Sequence, residues 1–143
     1  LTYYHYNCYN NNKNYINNQD KRILIVEDEQ FLRDFYQELL QSEGYSVDVA
    51  GDGETGEAKA KAGGFSLILL DIMLPKKDGI QILRELKVQP PQISNGPIVV
   101  LTNLGQDAII KQCFDLGAGG FLIKSAMNPD QVLAEINTYL QKS

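Results

Sequence analysis

The chain has 143 residues, a formal net charge of −5, 43% hydrophobic and 22% charged residues, the balance of one ordinary globular domain with a sizeable core. No apolar run approaches the roughly 20 residues that span a bilayer, and the acidic balance argues against the basic stripe with which a domain grips nucleic acid. Cys8 and Cys113 form no close pair and the single histidine, His5, lies near the start, so disulfide staples, zinc knuckles and histidine chemistry are not expected in the main body, and a reducing compartment is.

Residues 1–20, "LTYYHYNCYNNNKNYINNQD", are rich in Asn and Tyr and poor in aliphatic side chains. Such a stretch supplies no packed face and is expected to be a flexible tail, without the layout of a secretory signal. From Lys21 onward the pattern is regular. "RILIV" reads as a strand that ends on Glu27 and Asp28. Phe31, Leu32, Phe35, Tyr36, Leu39 and Leu40 then recur at helical spacing, and Gly44 stops that helix. Glu29 suits the start of the helix, where its charge complements the helix dipole.

"YSVDVA" alternates as a second strand, and "DGETGEAKAKAGG" follows as a helix capped by Asp52 and closed by glycines. "SLILL" is a third strand ending on Asp71, and "GIQILRELK" a third helix, halted by the prolines of "VQPPQISNGP". "IVVLT" is strand four, "GQDAIIKQCFDLGA" helix four and "GFLIK" strand five. Asn128 and Pro129 then open a fifth helix carrying Val132, Leu133, Ile136, Tyr139 and Leu140 on its apolar face. Five strand–helix alternations with continuously apolar strands predict an α/β fold: a doubly wound, five-stranded parallel sheet covered on both faces by five helices.

Sites in open α/β sheets form beyond the carboxyl ends of the strands, where strand order reverses. Reading off those ends gives Glu27, Asp28, Asp71, Thr102 and Lys124. Each alone has a plain alternative as a helix cap, β-branched filling or surface charge; their joint occurrence points to a site. Like carboxylates repel by about 4 kcal/mol per pair at 4 Å and an effective dielectric of 20. Lys124 and a hard divalent ion such as Mg2+ would offset that charge. Asp71 then has the setting of a nucleophile for phosphoryl transfer, and as a carboxylate it has no proton to lose.

The segments "ILIVEDE", "LILLDIMLPKKDG", "IVVLT" and "GAGGFLIK" give residues 21–143 a resemblance to the response-regulator receiver domains of two-component signalling. The resemblance implies a flavodoxin-like strand order 2-1-3-4-5. It makes Asp71 the phosphoacceptor, with Mg2+ held by Asp28, Asp71 and the Met73 carbonyl and by Glu27 through water. Lys124 would bridge to the phosphoryl group, and Pro75, Asp78 and Gly79 would shape the loop after Asp71. Thr102 and Phe121 would be the switch pair, with helix four, strand five and helix five as the readout face. The implied donor is a phosphohistidine on a sensor histidine kinase or histidine phosphotransfer protein, in the cytoplasm. The downstream protein or output domain is left open, and a phosphorylation-linked dimer through the helix-four face is compatible with this reading. The first helix, with Phe31 and Phe35, is a candidate docking face for the kinase.

Ser125 stands where the family usually has proline after a cis peptide bond, so a trans Lys124–Ser125 bond is expected. Asn103 stands where a smaller residue is commoner. The two positions that tune phosphoryl lifetime in the family hold Met73 and Leu104, both unable to orient water, so a long-lived phosphoryl group is expected. The rival enzyme reading is a haloacid-dehalogenase-like phosphohydrolase. That chemistry wants an acid two residues after the nucleophile, where Met73 stands. A receiver-like module that binds partners without phosphorylation is the third reading, disfavoured because every site residue type is present. A signalling phosphoacceptor, and not a turnover enzyme, is the expectation.

Overall fold

The computed structural model describes residues 18–103, 106–124 and 127–142. Its strands are β1 (Arg22–Val26), β2 (Ser46–Ala50), β3 (Leu67–Asp71), β4 (Ile98–Thr102) and β5 (Gly120–Ile123). They alternate with α1 (Gln30–Ser42), α2 (Gly53–Ala62), α3 (Gly79–Val88), α4 (Asp107–Asp115) and α5 (Pro129–Lys142). All neighbouring strands run parallel, in the order β2-β1-β3-β4-β5. The expected fold and strand order are therefore those observed.

Successive strand residues point to opposite faces, and the core divides accordingly. Ile23, Ile25, Leu67, Leu69, Val99 and Leu101 pack with α1 and α5 through Tyr36, Leu40, Val132, Ile136 and Leu140. Leu24, Val26, Ile68, Leu70 and Val100 pack with Ala60 of α2, Ile82, Leu83 and Leu86 of α3 and Cys113 of α4. From β1 the chain crosses one face to reach β2, and the order reverses between β1 and β3. The carboxyl ends of those two strands carry Glu27, Asp28 and Asp71.

Helix ends follow the local signals. Asp52 caps α2 by accepting the Thr55 N–H at 2.8 Å. Asn128 and Gln131 cap α5 reciprocally, each side-chain oxygen accepting the other's N–H at 2.9 Å. Asp78 and Gln81 do the same for α3, a capping box that satisfies two otherwise free N–H groups. Glu29 is the residue before α1, and its side chain makes no capping bond. Helix α4 is shorter than the pattern 105–118 predicts: it ends at Asp115, and Gly117, at φ +102°, turns the chain toward β5. Residues Asn18–Asp20 form a 3-10 turn, with the Asn18 amide donating to Glu43 O at 2.9 Å. The rest of the expected tail lies outside the described residues, as do Ser125 with its peptide bond to Lys124, and Leu104.

Candidate functional site

Five predicted site residues stand at or just after strand ends. Glu27 and Asp28 follow β1, Asp71 is the last residue of β3, Thr102 the last of β4, and Lys124 follows β5. Crossovers bring together residues far apart in sequence. Lys124 Nζ donates to Asp71 Oδ2 at 2.6 Å and to both oxygens of Glu27 at 3.1 Å. The Lys124 N–H also bonds Thr102 O at 2.9 Å, fixing the stem of that side chain to β4.

Burial differs sharply among the acids. Glu27 has no exposed surface and Asp71 is buried, while Asp28 is exposed. Burial pushes the Glu27 carboxyl up to about 8, with neighbouring Asp71 adding to the rise and Lys124 opposing it. Burial works against the charge on Lys124, but Asp71 and then Glu27 hold its pKa above the usual lysine range. Breaking such a buried pair by removing one partner typically costs about 3–5 kcal/mol, because the other charge is left uncompensated.

Carboxylate oxygens of Glu27, Asp28 and Asp71 lie within 4.8 Å of one another. Even with Glu27 held largely protonated near neutrality by its raised pKa, Asp28 and Asp71 against one ammonium leave the cluster net negative, and every free donor is a hard oxygen. That donor set fits Mg2+, which prefers oxygen ligands and keeps several waters; the exposed Asp28 leaves a side open for them.

The surrounding backbone is tied to these side chains. Asp71 Oδ1 accepts the Met73 N–H at 3.1 Å, so the first residues after β3 turn around the carboxylate. The Gly79 N–H bonds Ile72 O at 2.9 Å, and a Cβ at Gly79 would lie 2.6 Å from Asp71 O, which explains glycine there. Lys76 holds φ +68°, a left-handed conformation costing a non-glycine residue about 1–2 kcal/mol. Met73 projects outward with 65% of its surface exposed.

Thr102 and Phe121, the pair expected to act as a switch, lie on the neighbouring strands β4 and β5. The Thr102 hydroxyl lies 2.6 Å from Gln106 Oε1 and 3.2 Å from Asn103 O, both of which can accept its proton. Phe121 is 38% exposed and meets Phe114 edge-on, with ring centroids 6.3 Å apart. Phe114, Phe121, Ile110 and Ile123, with Asp107, Lys111, Asp115 and Asn103, line an open groove of about 460 Å3 between α4 and β5. On α1, Phe31 is exposed, whereas Phe35 packs partly against the core.

Two contributors escape a reading of strand ends. Arg33 Nη1 donates to the carbonyls of Glu27 and Asp28 at 2.9 and 3.3 Å, bracing the acidic loop from α1. Gln106 holds the Thr102 hydroxyl. Both look like solvated polar residues in the sequence, and their partners, nearby backbone groups and the Thr102 hydroxyl, are marked by no periodicity.

The comparisons agree with this architecture. The family model described as "Response regulator receiver domain" matches residues 23–137. Transcriptional regulatory protein DltR of Streptococcus agalactiae is 37% identical over 122 residues, covering 85% of this chain and 53% of that protein. Transcriptional regulatory protein ResD of Bacillus subtilis is 31% identical over 124 residues, covering 87% and 50%. A receiver domain protein (CheY-like) from Methanospirillum hungatei matches in structure with TM-score 0.75 at 29% identity, covering 85% of this chain and 94% of that one. The chain spans about half the length of the curated relatives it matches. With the fold, the acid cluster and this match over most of its length, the chain belongs to the family of response regulator receiver domains of two-component signalling.

Proposed function

We propose that Asp71 accepts a phosphoryl group from a phosphohistidine on a partner sensor kinase or phosphotransfer protein. The observation that carries this reading is the buried Asp71 carboxylate, 2.6 Å from Lys124 Nζ and beside Glu27 and Asp28. An Asp71 oxygen attacks phosphorus, the donor's N–P bond breaks, and its imidazole leaves with the electron pair. Lys124 stays with the transferred group and takes up charge on its oxygens. Asp28, Asp71 and the Met73 carbonyl would hold Mg2+, with Glu27 acting through water. Bound there, the ion supplies neutralisation of the phosphoryl oxygens and orients them.

The acyl phosphate is then read by the switch. Thr102 leaves Gln106 and donates to a phosphoryl oxygen, and the Phe121 ring turns inward to fill the space. Phosphorylation thereby shifts an existing equilibrium on the α4–β5–α5 face, where a downstream partner, an output domain or a second copy engages. The domain acts as a signalling phosphoacceptor and not as a turnover phosphatase. Curated relatives are transcriptional regulators by name, so a transcriptional output is the proposed readout. The net charge of −5 favours a reading in which these residues make no direct DNA contact themselves. No helix among the described residues is long and apolar enough to cross a membrane, and the proposed setting is the cytoplasm, where kinase and receiver meet.

The test is incubation with a small phosphodonor and Mg2+, followed by mass spectrometry of the intact chain. One phosphoryl group retained in the wild type and none in Asp71→Asn supports the reading. Uptake in Asp71→Asn, or continuous turnover of a generic phosphomonoester, refutes it.

A further inference from the structure

Helix α2 carries a buried charge that the phosphoacceptor chemistry does not use. In "GETGEAKAKA" Glu57 looks like half of a solvated Glu–Lys pair one turn apart on a helix surface. Instead it is only 7% exposed. One oxygen meets Lys61 Nζ at 2.8 Å, and the other forms an ion pair with Lys77, in the loop between β3 and α3. A pair with Lys61 alone would need no burial. What draws the carboxylate inward is the cation supplied by the loop, and two ammonium groups offset its desolvation. Burial opposes the Glu57 charge, but the bonds to Lys61 and Lys77 hold its pKa below the usual glutamate range.

Three further contacts tie the start of α2 to the same loop. The Gly53 N–H, unused by the helix itself, donates to Pro75 O at 3.2 Å, and Pro75 O also accepts the Lys77 N–H at 2.8 Å. A Cβ on Gly53 would lie 1.6 Å from Lys77 O, so only glycine lets helix and loop approach this closely. Lys76, in its left-handed conformation, places Nζ 3.8 Å from the Asp52 carboxylate. The other end of the loop carries the Met73 N–H on Asp71 and the Gly79 N–H on Ile72 O.

We propose that Glu57 is a positioning residue: through Lys77 it clamps residues 72–78 in the conformation that keeps the Met73 backbone against the Asp71 carboxylate. Glu57 lies outside the acid cluster of Glu27, Asp28 and Asp71. Its effect on Mg2+ affinity rests on the phosphoacceptor reading, whereas its hold on the loop is a property of the metal-free protein.

The experiment compares wild type with Glu57→Gln, Lys77→Met and Lys61→Met by amide hydrogen exchange without Mg2+, then measures Mg2+ affinity by calorimetry. Lys61→Met also removes one cation from Glu57 but leaves the loop attachment in place. Exchange at the Met73, Lys77 and Gly79 amides should rise about tenfold in Glu57→Gln and Lys77→Met, the order expected for losing one partly buried ion pair. In Lys61→Met those amides should exchange as in wild type, and the Leu69 amide in β3 should be unchanged throughout. Mg2+ affinity should fall severalfold in the first two variants only. Loop exchange unaltered in Lys77→Met, or raised equally in Lys61→Met, overturns the clamp. Should Glu57→Gln fail to fold, the two lysine variants decide. Normal loop tightening together with absent phosphoryl uptake by wild type would sink the phosphoacceptor reading while leaving the clamp standing.

Discussion

Thr102 and Gln106 are joined by a 2.6 Å hydrogen bond from the Thr102 hydroxyl to Gln106 Oε1, at the residue that opens α4. The same oxygen accepts the Asn103 N–H at 3.2 Å. A hydroxyl has one proton to give, so Thr102 can serve a phosphoryl group on Asp71 only by leaving Gln106. The side chain that starts α4 then loses a partner, which links the chemistry at β3 to the helix at the surface.

Gln106→Leu should therefore favour the switched state. A neutral hydrogen bond contributes about 0.5–1.5 kcal/mol net, so the switched fraction should rise about 2- to 10-fold. Asn103 is exposed and its N–H can turn to water, so little stability should be lost. Phosphorylation by a small donor, which draws on the switched population, should speed up by the same factor in stopped-flow measurements. An unchanged or slower rate would dismiss Gln106 as a latch.

Lys124→Met should destabilise the metal-free protein by about 3 kcal/mol, because Glu27 and Asp71 would keep their burial and lose their shared cation. Added Mg2+ should restore part of that loss by binding the folded acid cluster. Urea unfolding with and without Mg2+ measures both effects. Equal stability of variant and wild type in metal-free buffer would contradict the structural role given to the ion pair.

Met73, exposed at the rim of the site, offers no hydrogen bond to an attacking water, and Leu104 is likewise apolar. The phosphoryl group on Asp71 should accordingly persist for minutes or longer, and Met73→Asn should shorten its lifetime severalfold by orienting water. Decay of the phosphorylated chain in Mg2+ buffer, followed by mass spectrometry, decides this. A lifetime of seconds in the wild type would rule out slow decay.

Glu57 also implies a pH dependence on the acid side. Its folded pKa lies below the ordinary value of 4.5, so the unfolded chain takes up a proton first as pH falls. The stabilisation is complete above 4.5 and is lost as pH drops through the lowered folded value. Glu57→Gln should show its largest Tm deficit near neutrality and converge with wild type in acid. A deficit that is constant across pH would mean that packing, not charge, holds α2 to the loop.

Much of this molecule is written locally. Aliphatic runs such as "ILIV" and "LILL", the caps at Asp52 and Asn128 and the helical spacing of Phe35, Tyr36, Leu39 and Leu40 are properties of neighbouring residues. They determine five strands and five helices. The acids, Thr102 and Lys124 at strand ends were legible too, because a doubly wound sheet gathers those ends at one edge. The order of the strands came from resemblance, since periodicity says which face a residue takes and nothing about its neighbour strand.

What the tertiary structure alone decided is how each polar group is partnered. Glu27 and Asp28 are adjacent in sequence and look alike, yet one is buried against Lys124, 97 residues away, and the other faces solvent. Glu57 reads as a surface charge until the loop after β3 brings Lys77 to it, and Thr102 reads as strand filling until Gln106 turns back to take its proton. The physical reason is that apolar periodicity marks which face a residue takes and says nothing of polar partners: the crossovers of the fold deliver the cations that offset buried Glu27 and Glu57, and the start of α4 brings Gln106, four residues on, to the Thr102 hydroxyl.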